Sequence, residues 1–88
     1  MTTATRRLRV TVTDAWDTVA LDAAPDMTVE EVKHEALRRT LGAVRDPSMY
    51  EVKFRGALVL DEGARVADVD FPDGAPLIVL AARRRPVR

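Results

Sequence analysis

The chain contains no cysteine. That absence excludes disulfide staples, thiolate metal sites and cysteine nucleophiles together, and it fits a reducing compartment. Histidine occurs once, as His34, and glycine four times, at Gly42, Gly56, Gly63 and Gly74. No phosphate-cradling glycine loop, HExxH pair or Ser/His/Asp arrangement exists in such a set. Long apolar runs are missing too. No segment approaches the ~20 apolar residues of a membrane span, and MTTATRRLRV lacks an apolar stretch of signal-peptide length after its charges. A net charge is also absent, with 14 basic and 14 acidic residues. The expectation is a soluble, cytoplasmic, monomeric protein that is not an enzyme and has no catalytic residues, no metal site, no cofactor and no membrane insertion.

What is present is one domain's worth of chain. The 88 residues are 47% hydrophobic, enough for a single core and too apolar for a disordered chain. The charges are unevenly placed. Seven of the 14 basic residues are Arg6, Arg7, Arg9, Arg83, Arg84, Arg85 and Arg88; the other seven share residues 10–82 with all 14 acids. The body is therefore acidic, at about −7, with basic ends. An acidic body repels phosphate backbones, which argues against a nucleic-acid partner. Arginine outnumbers lysine twelve to two, a bias that fits a GC-rich bacterial genome.

Periodicity divides the chain. RRLRVTVTD alternates, with Leu8, Val10 and Val12 on one side, and TVALDA alternates again, with Val19, Leu21 and Ala23 inward. The pair reads as an antiparallel hairpin turned at Asp14–Asp17, with Trp16 in the turn. From Thr28 the period lengthens. Val29, Val32, Ala36, Leu37 and Leu41 give a helical stripe. Thr28 and Glu31 form a capping box, Met27 and Val32 a hydrophobic staple, and Gly42 a left-handed stop. Glu30 and Glu31 suit the helix N-terminus, Arg38 and Arg39 its C-terminus, and Glu35 can pair with Arg39. After a loop broken by Pro47, YEVKF alternates with Tyr50, Val52 and Phe54 inward. A turn at Gly56, a short strand ending at Leu60 and a polar turn through Gly63 follow. Val66, Val69 and Phe71 are spaced for a helical turn under the sheet, and Leu77, Val79 and Ala81 are the inward residues of a last strand. One helix on one mixed sheet is a two-layer α+β domain. The expected limits are an N-terminal arm at 1–5, the domain at 6–82 and a basic tail at 83–88.

These residues resemble the ubiquitin-like, β-grasp superfamily. TVEEVK (Thr28 to Lys33) resembles the start of the ubiquitin helix. FRGALVLDEGARVADVDF (Phe54 to Phe71) resembles the segment from the third strand to the isoleucine under the sheet, with Leu60, Gly63, Val66, Asp68 and Phe71 at matching positions. PLIVL (Pro76 to Leu80) resembles the last strand. The resemblance implies a β-grasp roll of order β-β-α-β-β, in which the first and last strands run parallel. It departs in one extra residue between Gly56 and Leu60 and in a longer loop near Pro47. It also implies what this chain is not built to do. Conjugating relatives and sulfur carriers end in two glycines, and Arg85 and Pro86 stand there, where a fixed φ and a bulky side chain block an activating enzyme's narrow channel. No internal Gly-Gly is present. Lys53 stands at the position of ubiquitin's recognition isoleucine, and Ala57 or Leu58 near its chain-linking lysine. Non-conjugated bacterial relatives include the small ubiquitin-like proteins of type VII secretion loci.

Function therefore points to a surface. On this fold the outer face of the sheet carries Arg7, Arg9, Thr11, Lys53, Arg55, Ile78 and Leu80; aliphatics ringed by cations suit a protein partner. The plainer reading is a strand that tolerates two exposed aliphatics. Trp16 is a second candidate, either folded over the sheet edge or free as an anchor. Arg83 or Arg84 then comes within reach of Asp14, Asp17 or the Trp16 ring. The carboxylates in turns, Asp14, Asp17, Asp61, Glu62 and Asp73, are expected to accept backbone N–H groups. His34, with Glu30 and Glu31 beside it, reads as solvated helix surface rather than a metal ligand. The leading expectation is a non-conjugated protein-interaction module. A carrier activated at its C-terminus and a nucleic-acid binder using the Arg-rich ends (Arg83, Arg84, Arg85) are the alternatives.

Overall fold

A computed structural model of the chain describes residues 5–42, 47–69 and 71–81. In chain order it forms strands β1 (Arg6–Val12) and β2 (Asp17–Ala23), helix α1 (Val29–Leu41), a 3-10 turn (Pro47–Met49), β3 (Tyr50–Phe54), β4 (Ala57–Leu58), a one-turn helix α2 (Val66–Val69) and β5 (Ala75–Ala81). The five strands lie in the order β2-β1-β5-β3-β4. All neighbours are antiparallel except the central pair: β1 and β5 run parallel, with Leu8 beside Ala75 and Val12 beside Val79. This is the arrangement the resemblance implied.

Alternation decides which face meets the helix. Leu8, Val10 and Val12 of β1, Val52 of β3, and Ala75, Leu77 and Val79 of β5 are buried, and Val29, Val32, Ala36 and Leu37 of α1 close over them. Phe71 sits fully buried beneath, edge-on to Phe54 at 4.9 Å. Pro76 lies within β5, where proline is normally costly. Pairing to β3 begins only at Leu77, so the missing N–H falls where β5 has a strand on one side only.

The helix start is built as its local residues dictate. Thr28 Oγ1 accepts from the Glu31 N–H at 3.1 Å, and the Glu31 carboxylate accepts from the Thr28 N–H at 3.0 Å. Two further free N–H groups of the first turn, on Val29 and Glu30, donate to the carbonyls of Ala64 and Glu62. In return, Val66 and Ala67 at the start of α2 donate to Met27 and Pro25. The loop before α2 and the entry to α1 thus satisfy each other. Gly42 ends α1 at φ 79° and donates to the Arg38 carbonyl.

The structure corrects the sequence reading at several places. Ala81 is exposed, because it is the last residue of β5 and pairs only with Tyr50, beyond the reach of the helix layer. Leu41, in the last turn of α1, is also exposed. The strand expected to reach Leu60 stops at Leu58. Val59 continues toward β3, donating to the Val52 carbonyl, and packs against the core while Leu60 turns out to 85% exposure. Lys33, which the apolar stripe read for α1 does not include, is buried. Among the described residues Asp14 and Glu62 do not take backbone donors as expected; they accept from the Tyr50 hydroxyl and the Lys33 ammonium, whereas Asp17, Asp61 and Asp73 accept from the N–H groups of Thr18, Gly63 and Arg7.

Candidate interaction surface

The face of the sheet turned away from α1 is set by the same alternation. Cross-strand register places one row of side chains across all five strands: Thr18, Thr11, Ile78, Lys53 and Leu58. Neighbours in such a row stand about 5 Å apart with side chains on the same face. Ile78 is 41% exposed and Leu58 42%, with Lys53 between them. At the β1–β2 end the Thr11 and Thr18 hydroxyls share a hydrogen bond of 2.8 Å. The next row toward the C-terminal end of β5 sets Leu80, half-buried, beside Glu51. The row on the other side sets Arg9 between Ala20 and Pro76.

The residues singled out from sequence fall into three places. Ile78, Lys53 and Leu80 are neighbours on the central strands, and Arg9 lies one row away, exposed. Neither Arg9 nor Lys53 makes an ion pair among the described residues, whereas Arg7, on the same face, contacts Asp22 at 3.3 Å. Arg55 is not part of the rows. It occupies the turn between β3 and β4 at φ 55°, followed by Gly56 at φ 81°, and its guanidinium lies 5.0 Å from the Phe54 ring centre. Two successive left-handed residues make the two-residue turn whose twist suits a hairpin. Trp16 is far from the rows' centre, in the β1–β2 turn, at φ 50° and 84% exposed, so it does not fold over the sheet edge. Arg83, Arg84 and Arg85 lie outside the described residues.

Sequence reasoning missed Leu58, whose exposure next to Lys53 completes the apolar flank. The alternation of ALVL carried that signal, but only the β3–β4 register fixes the neighbour. It also missed the one buried ion pair described. The Lys33 side chain is 3% exposed; its ammonium donates to the Glu62 carboxylate and, at 3.0 Å, to the Tyr50 carbonyl. This ties α1 to the starts of β3 and of the α2 loop. At the same start of β3 the Tyr50 hydroxyl donates to Asp14 at 2.8 Å. That hydrogen bond, with burial second, holds the phenol above its ordinary value.

The helix face offers less. Glu35 accepts from both Arg38 and Arg39, and hydrogen bonds from these guanidinium groups, Arg38 first, hold its carboxyl at about 2. His34 is exposed beside Glu31 and Glu35 in a shallow groove. Among the described residues no three His, Cys, Asp or Glu side chains are placed to hold a metal ion, and no helix is long and apolar enough to cross a membrane.

No family model and no curated protein sequence matches the chain. Solved structures do. A ubiquitin of Caldiarchaeum subterraneum superposes with a TM-score of 0.74 at 14% identity, over 96% of this chain and 98% of that one. A structure described as molecular mimicry of SUMO that promotes DNA repair gives 0.75 at 14%, over 90% and 94%. A computationally designed protein based on human erythrocytic ubiquitin gives 0.70 at 22%, over 94% and 99%. At these identities the likeness speaks to architecture alone, and the architecture is the ubiquitin-like fold: a five-stranded mixed sheet carrying one main helix.

Proposed function

We propose that the chain is a bacterial, cytoplasmic ubiquitin-like module that binds other proteins through the outer face of its sheet and is not itself conjugated. One observation carries the reading: Ile78 and Leu58 stand exposed on either side of Lys53, on rigid strands rather than on loops. Exposed aliphatics fixed at strand spacing give a partner apolar area at little ordering cost. Lys53 and Arg9, without carboxylate partners among the described residues, add a demand for acidic groups opposite them. A folded domain with no metal-ligating cluster among the described residues and no nucleophile–base motif fits a module rather than an enzyme. The non-conjugated part rests on Arg85 and Pro86 standing where relatives carry glycines. The link to a secretion locus rests on the resemblance alone, and the neighbouring genes test it.

The reading is tested by substituting Ile78→Asp together with Leu58→Asp. Both side chains are surface-exposed, so far-UV circular dichroism and Tm should stay near those of the parent. Capture of protein partners by the immobilised chain should be lost. Capture that is unchanged in the folded double variant would sink the proposal.

A further inference from the structure

The β1–β2 turn holds a residue its geometry does not favour. A left-handed position closing a hairpin loop normally takes glycine, asparagine or aspartate, yet Trp16 holds it at φ 50° with 84% of its surface exposed. The strain is not offset by burial of the indole. Strain of this kind clusters at binding sites and ligand clamps. The surroundings indicate the kind of ligand. Asp14 and Asp17 flank the indole in sequence, and among the described residues each has one carboxylate oxygen left after bonding Tyr50 and Thr18 respectively. Glu51 makes no ion pair among the described residues, and it lines a shallow depression with Thr13, Asp14, Lys53, Leu80 and Ala81. An indole face beside several carboxylates suits a guanidinium, which stacks on the ring and donates in the plane to the acids.

The strand that precedes the chain's own arginines in sequence ends at this pole. β5 runs parallel to β1, and the Thr13 N–H donates to the Val79 carbonyl, so β5 ends where the turn begins. Its last residue, Ala81, pairs with Tyr50, whose hydroxyl reaches Asp14. Arg83, Arg84 and Arg85 follow two to four residues later in sequence. At up to about 3.5 Å per residue, two to four residues of chain span at most roughly 7–14 Å. We propose that the C-terminal arginines of this same chain occupy the Trp16 pole, with a guanidinium on the indole and Asp14, Asp17 or Glu51 accepting its N–H groups. The proposal does not depend on the outer-face reading, although an occupied pole would cover the Leu80 end of that face.

Trp16 is the sole tryptophan, so its fluorescence reports this site alone. The experiment compares quenching by acrylamide, a neutral quencher that the tail's charge does not concentrate, in the full chain and in a chain ending at Ala82. Circular dichroism confirms that both fold. Removing residues 83–88 should raise the quenching constant about twofold, the change expected for a weak exposed cation–ring contact. About 0.5 M NaCl should erase the difference, because screening at that strength weakens exposed charge pairs. A full-length variant with Arg83→Ala, Arg84→Ala and Arg85→Ala should behave as the truncated chain does. Equal quenching of full and truncated chains at low salt would overturn the proposal. So would protection that survives the triple substitution, or that grows with protein concentration and thereby assigns the site to another copy.

Discussion

The buried ion pair offers the sharpest test of how this small domain is held together. Lys33 is 3% exposed and Glu62 about one-fifth exposed, and the ammonium has two acceptors, the Glu62 carboxylate and the Tyr50 carbonyl. Glu62→Ala removes the one negative charge beside a buried positive one. The remaining carbonyl cannot replace it, and breaking a buried pair from one side costs about 3–5 kcal/mol. Because Glu62 is partly hydrated, the lower end of that range, about 3 kcal/mol, is the expectation. Lys33→Met is a different perturbation. It keeps the stem's packing volume, removes the charge that needs a partner and leaves Glu62 able to turn to water. Its expected cost is about 1 kcal/mol or less. A domain of this length has about 4–13 kcal/mol in total, so Glu62→Ala removes a quarter of the stability or more. It should lower Tm by at least about 12 °C, against about 4–8 °C or less for Lys33→Met. Urea titration followed by far-UV circular dichroism measures both, since Trp16 is already exposed in the folded state and reports unfolding poorly. In the double variant the Glu62 change should cost little beyond Lys33→Met. If Lys33→Met proved the more damaging single change, or the two costs simply added, the pair would not be the buried charge contact described.

Two further outcomes follow from shifted protonation. The one tyrosine should titrate above pH 10, because Asp14 accepts from its neutral hydroxyl. Its folded value is raised, so the stability it brings is present below the ordinary tyrosine range and lost as pH rises through the folded value. In Asp14→Asn, absorbance titration near the phenolate band should find the transition moved toward pH 10, and an unmoved transition would contradict the hydrogen bond. Glu35 shifts the other way, from 4.5 to about 2. Its contribution is present above pH 4.5 and lost as pH falls toward 2. For exposed pairs one turn apart it amounts to less than about 1 kcal/mol. Glu35→Gln should therefore cost that much at neutral pH and little near pH 2, as read by urea titration at both.

How much of this was legible from residues alone depended on how local the cause was. The capping box, the staple and the Gly42 stop sit within a few residues of what they control, and α1 forms where they place it. Strand alternation likewise assigned Leu8, Val10, Val12, Leu77 and Val79 to the core. Where the cause is distant, sequence was silent. Nothing in VEEVKHE marks Lys33 as buried, since its partner lies 29 residues away. The strand expected to end at Leu60 was drawn too long, because β4 ends two residues earlier and the chain turns there. The outer face could be half drawn, with Lys53, Ile78 and Leu80 on it. Leu58 needed the β3–β4 register, and the conformation of Trp16 needed the turn itself, where either flanking aspartate would have been the more ordinary left-handed residue.

The central parallel pairing has a mechanical consequence. β1 enters the sheet at one pole and β5 leaves it at the other, and the two lie side by side as neighbours. A pull on the two ends of the chain therefore runs along the length of that ladder. Its hydrogen bonds are loaded together, in shear, instead of opening one after another as a hairpin pulled from its open end would. Whatever is joined to either terminus transmits tension along that β1–β5 ladder.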